Sequence, residues 1–241
     1  MPPEPVNALT ARAFGALSHL RGRRCFHPHG VGFAATLVPR RGTATGAELF
    51  DSGRERPGRV RLSRSLGLPE MLPDPCGLAL RIDDAYGPGL HQDLLLVSSG
   101  SAPIARHLLL PSWGFGESWY STLLPYNCAA RRIVVGARPA VAQHRLTLAE
   151  LTRRDVAGLG FELAIATASS PWTAVAELRL ERRVPDEGIC FDPGNTGGGL
   201  ELAGALNRLR LPAYRGSQRG RDARPDAGGD ADEPDLRAVA S

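Results

Sequence analysis

Lysine is absent from this sequence: all 29 basic side chains are arginine. They are spread along the 241 residues and not gathered into one stripe, so a net charge of +4 and a pI near 9.2 read as coding bias. A nucleic-acid-binding surface is not expected from such a distribution. Long apolar runs are also missing; none approaches the roughly 20 residues needed to span a bilayer. The opening Met1-Pro-Pro-Glu-Pro5 lacks the basic and apolar regions of a secretory leader. Cytoplasmic residence without stable membrane insertion is therefore expected. Cysteine is scarce and scattered, at positions 25, 76, 128 and 190, with no C-x-x-C spacing. That pattern predicts free thiols in a reducing compartment, not disulfides or a metal site.

What remains is an ordinary globular composition, 42% hydrophobic and 22% charged. The length allows one substantial domain with an ample core. Residues 8–20 place Leu9, Phe14, Leu17 and Leu20 at helical spacing. Strand-like runs follow at 32–38, 59–63, 78–82, 93–97, 132–136, 161–166 and 175–181, the last with period-2 alternation from Glu177. Short helices are predicted around 147–156 and over Leu200–Arg210. Many strands with few helices between them predict an α+β protein built on a closed antiparallel β-barrel with flanking helices. From about Gly216 the chain turns to Gln, Arg, Asp, Gly, Ala and Pro, too poor in apolar surface to offset its ordering entropy. The expected organisation is a domain over 1–221, including the N-terminal helix, and a disordered tail over 222–241.

Near the end of that domain stands Arg210-Leu-Pro-Ala-Tyr214. If the segment is helical, the spacing puts both side chains on one face. A guanidinium beside a phenol favours the phenolate, and phenolate is an established axial ligand of haem iron. Taken alone the spacing is common.

Three segments together resemble one family in the same order: Arg24-Cys-Phe-His27-Pro-His-Gly30; Val60-Arg61-Leu-Ser63 with Asp74-Pro-Cys-Gly77, Arg81 and Gln92-Asp93; and Arg210 to Arg221. They resemble the haem catalases and the smaller catalase-related haem peroxidases. That resemblance implies an eight-stranded catalase-like barrel carrying haem b (iron protoporphyrin IX). It also implies that His27 is the distal histidine, which moves a proton between the two oxygens of bound peroxide. Ser63 matches the serine that orients this histidine. Tyr214 matches the iron ligand, with Arg210 keeping it anionic, and Arg24, Arg61 and Arg221 match the arginines of the haem propionates, a task suited to paired charge-assisted bonds. The implied activity is an oxidoreductase that cleaves hydrogen peroxide or organic hydroperoxides through a ferryl intermediate while oxidising a small-molecule reductant.

The residues by themselves leave other roles open. His27 and His29 could form a surface pair or a metal site, Ser63 could end a strand, Tyr214 could be a half-buried aromatic, and the arginines could be solvated. Asp74-Pro-Cys-Gly77 reads as a turn. The family pattern is also broken in places. Leu124 falls at the position of a distal asparagine, with Asn127 displaced from it. Phe26 replaces a smaller residue, Gln218 replaces a histidine, and Pro212 lies inside the Arg210–Tyr214 pair, where it removes a helical hydrogen bond. The long arm and extra domains of the large enzymes are lacking, so an assembly simpler than their intertwined tetramers is expected, with a homodimer left open. Alternatives within the fold are a fatty-acid hydroperoxide-rearranging enzyme of the allene oxide synthase kind and a barrel that binds haem or an apolar ligand without turnover. A chain that has lost haem altogether is a further alternative.

Overall fold

The computed structural model describes residues 30–153, 158–185 and 191–204. Among the described residues ten strands run β1 (Gly30–Pro39), β2 (Arg56–Arg64), β3 (Cys76–Ile82), β4 (Gln92–Ser99), β5 (Trp119–Ser121), β6 (Tyr126–Cys128), β7 (Arg131–Pro139), β8 (Gly160–Ala166), β9 (Thr173–Val184) and β10 (Leu200–Leu202). Two short helices accompany them, α1 (Glu48–Asp51) and α2 (Leu148–Arg153). Neighbouring strands pair antiparallel in the order β1-β2-β3-β4-β5-β7-β8-β9, and β9 returns to β1. This closes the predicted barrel of eight strands. β6 and β10 extend the sheet outward from β7.

Alternation drives the closure. Phe33, Ala35 and Leu37 of β1, Val60 and Leu62 of β2, Leu78 and Leu80 of β3, and Leu94 and Leu96 of β4 all point inward and are buried. Each such leucine or phenylalanine contributes about 1.5–3 kcal/mol by leaving water. Register shifts at Ala34/Ala35 and Leu163/Ala164 add the local bend that a closed sheet needs. Tyr120 fills the interior as well, its hydroxyl donating to the Phe115 carbonyl at 3.0 Å and its ring edge-on to Phe161. An eight-stranded barrel is just wide enough for side chains to fill it. Between Leu62, Phe115, Leu146, Phe161 and Leu180 only about 10 Å³ is left for a water-sized sphere.

All seven predicted strands are present. β5, β6 and β10 were not predicted, because three residues carry too little periodicity. α2 starts as expected, and a reciprocal cap fixes it: Thr147 Oγ1 accepts from the Glu150 N–H while Glu150 Oε2 accepts from the Thr147 N–H. The helix predicted over Leu200–Arg210 is corrected at its start, where Leu200–Leu202 pair with Tyr126–Cys128 as β10. Asp74-Pro-Cys-Gly77 is also more than a turn. Asp74 is bridged to Ser112, and Cys76 and Gly77 open β3. The predicted helix at 8–20 and the predicted tail at 222–241 lie outside the described residues. No helix among the described residues is long and apolar enough to cross a membrane.

Candidate functional site

Among the described residues the barrel interior is filled by side chains, which turns attention to its outer face. On β2 the inward Val60 and Leu62 alternate with Arg59, Arg61 and Ser63, and Arg59 is half exposed toward solvent. Arg61 and Ser63 therefore share the outer face. Cross-strand register builds two rows there. Ser63 lies between Gly30 of β1 and Gly77 of β3, and Gly77 is opposite Val97 of β4. One step away, Arg61 lies between Gly32 and Ala79, and Ala79 is opposite Leu95. The outcome is a platform of glycine, alanine and aliphatic side chains with one guanidinium and one hydroxyl.

The guanidinium is laid along that platform. A Cβ on residue 30 would stand 2.6 Å from Arg61 Cζ, so Arg61 occupies the space that a side chain at 30 would take. Ser63 is only 4% exposed despite its outward position. β2 continues past it to Arg64, so Ser63 is not merely a strand terminus. A pair of rows of small residues with an arginine beside them is chemically compatible with an apolar macrocycle bearing carboxylates. In that respect the described residues fit haem.

Two buried ion pairs brace the platform. Arg64, pointing into the barrel end, donates to the Leu72 carbonyl at 2.7 Å and lies 3.6 Å from Asp74. Asp74 in turn accepts from the Leu66 and Leu68 N–H groups. Next to Arg61's row, Arg81 grips Asp93 with two hydrogen bonds of 2.7 and 2.6 Å. Asp93 also accepts from the Asp192 N–H and from Asn195 Nδ2, which fastens the 191–195 segment to β4. Burial pushes the nearby Cys76 thiol up to about 12, so it is a neutral core group and not a nucleophile.

Of the predicted site residues, Arg61 and Ser63 come together here. Arg24, His27, Arg210, Tyr214 and Arg221 lie outside the described residues, as do Phe26, Pro212 and Gln218. Leu124 is buried and follows β5. The residue that shares Ser63's row on β4 is Val97. Sequence reasoning missed the contribution of Gly77, Ala79, Leu95 and Val97. Over residues 77–80 and 94–97, β3 and β4 are apolar on both faces, so no period-2 signal separates the outer positions from the core there.

Compared with known structures, the fold is that of catalases. A fungal catalase matches with a TM-score of 0.64 at 14% identity, over 86% of this chain and 61% of that one. A bacterial catalase matches with a TM-score of 0.60 at 17% identity, over 91% of this chain and 62% of that one. This chain thus spans about three fifths of the length of these catalases. No protein-family model and no curated protein sequence matches it. The chain is, by fold, a catalase-like β-barrel protein.

Proposed function

We propose that this protein is a haem-dependent oxidoreductase that cleaves a peroxide O–O bond and oxidises a small reductant. The observation that carries this reading is the outer platform of β1–β3, where Arg61 lies across Gly30 beside the buried Ser63, on a catalase-like barrel. Haem, when bound, supplies the iron that polarises the peroxide and accepts the change in oxidation state.

The chain's residues do the rest. Arg61, with Arg24 and Arg221, holds the propionates by charge-assisted bonds. Tyr214 would hold the haem iron through its phenolate oxygen, and Arg210 would favour that phenolate form. His27 precedes Gly30 by three residues, so the chain keeps its Cα within about 11 Å of Gly30. From there its imidazole takes the proton from one peroxide oxygen and returns it to the other, so that the departing oxygen leaves as water or an alcohol. Ser63 orients the ring through its second nitrogen, fixing which nitrogen carries the proton. The apolar Leu95 and Val97 alongside favour a substrate with hydrocarbon next to the peroxide. This supports organic hydroperoxides, including a fatty-acid hydroperoxide rearranged without an external reductant, as a second reading.

The test is the absorption spectrum of protein produced with haem supplied. A ferric haem spectrum that is lost or strongly weakened in Tyr214→Phe is expected. A well-folded preparation that takes up no haem defeats the proposal. Oxygen evolution from hydrogen peroxide, dye oxidation by an organic hydroperoxide, and product analysis with a fatty-acid hydroperoxide then distinguish dismutation, peroxidation and rearrangement.

A further inference from the structure

The loop joining β2 to β3 combines a fixed backbone with outward apolar side chains. Asp74, fully buried, accepts from the N–H groups of Leu66 and Leu68 at 2.9 and 3.0 Å. Arg64 donates to the Leu72 carbonyl at 2.7 Å, and the Leu72 N–H closes back on Pro69. Yet Leu66, Leu68, Met71 and Leu72 are all exposed, Met71 by 79%. The Asp74–Ser112 bridge brings a second strip beside them, and Leu110 and Trp113, within two residues of Ser112, are exposed too. Several exposed apolar side chains gathered on a preorganised loop and the strip bridged to it mark an interaction site.

We propose that this rim is the docking surface for the chain's own segment 8–20. Gly30, the first residue of β1, pairs with Ser63, two residues before the loop begins at Ser65. Residues 1–29 therefore join the barrel at the rim from which the loop projects. Nine residues, 21–29, separate Leu20 from Gly30, a reach of up to about 35 Å, which is ample. In segment 8–20 the apolar Leu9, Phe14, Leu17 and Leu20 fall on one side of a helix. A helix of 13 residues is marginal in water without a partner for that side. The other undescribed terminus is less well placed. Residues 205–241 continue from β10, which is attached through β6 to β7, four strands from β2 in either direction around the ring. Docking of 8–20 would anchor residues 21–29 at the end of the barrel that carries Arg61 and Ser63. The proposal is independent of haem.

Hydrogen exchange of the full chain, followed by mass spectrometry, tests it. Amides of 8–20 should exchange at least about tenfold faster in Leu66→Asp/Met71→Asp than in the wild type, with β3 unchanged. Phe14→Asp/Leu17→Asp should release the same segment and raise binding of an apolar dye. Met71→Asp alone provides a milder variant if the double one does not fold. Exchange of 8–20 at the unstructured rate in the wild type overturns the proposal, as does protection that the rim substitutions leave intact. A change in sedimentation mass with exchange at 8–20 unaltered assigns the rim to a second copy, and altered protection only in 205–241 assigns it to the C-terminal segment; either result overturns it as well.

Discussion

The Arg61 guanidinium lies over Gly30 on the partner strand, in the space where a Cβ would stand 2.6 Å from Cζ and 2.7 Å from Nη2. Gly30→Ala should therefore push Arg61 off the platform. The atoms to be moved are the far end of a flexible side chain, so stability should change by under about 1 kcal/mol. Haem affinity should fall about tenfold, as expected for losing one charge-assisted contact. Haem titration beside thermal unfolding checks this, and undiminished affinity would remove Arg61 from the site.

Asp93 is fully buried and serves Arg81, the Asp192 N–H and Asn195 at once. Asp93→Asn leaves the Arg81 charge half-buried without its counter-ion and should cost about 3 kcal/mol. Asp83→Asn, which touches the half-exposed Arg59 at 3.2 Å, should cost under about 1 kcal/mol. Urea unfolding of the two variants measures the contrast.

Gly136 is a close-approach position. A Cβ there would stand 2.6 Å from Trp172, whose ring stacks on Trp119 at 5.1 Å and lies under the Arg106 guanidinium at 4.6 Å. Gly136→Ala should separate the two indoles and cost about 1–3 kcal/mol. Loss of the near-ultraviolet dichroism of the tryptophan pair, with the far-ultraviolet spectrum kept, is the expected signature.

Burial raises the pKa of Asp51, but the N–H groups of Thr45 and Gly46 and the Thr45 hydroxyl outweigh it and hold the carboxyl below its ordinary value. A depressed folded-state pKa contributes stability above the unfolded value near 4. That contribution is lost as pH falls through the folded-state value. Asp51→Asn should flatten the loss of stability below about pH 4. Denaturant midpoints from pH 6 to 3 show whether it does.

Cys76, pushed up to about 12 by burial, holds almost no thiolate at pH 8. It should ignore a disulfide-exchange reagent in the native protein and react once denaturant is added. Peptide mapping of the labelled cysteine identifies it.

The strands that build the barrel were legible because they alternate. Phe33, Ala35 and Leu37, or Leu178 and Leu180 between charged neighbours, can face a core only as strands. The family motifs likewise marked Arg61 and Ser63 without any coordinates. Other features had no sequence signal. β5, β6 and β10 are three residues each, and Leu200–Leu202 reads as the start of a helix until it meets Tyr126–Cys128.

Composition, alternation and motif order thus determined an antiparallel barrel and named the arginine and serine on its second strand. Tertiary structure decided which residues join them, because register couples Gly30, Gly77 and Val97 to Ser63 across strands far apart in sequence. It also decided that, among the described residues, side chains fill the interior, since eight strands close tightly around many leucines.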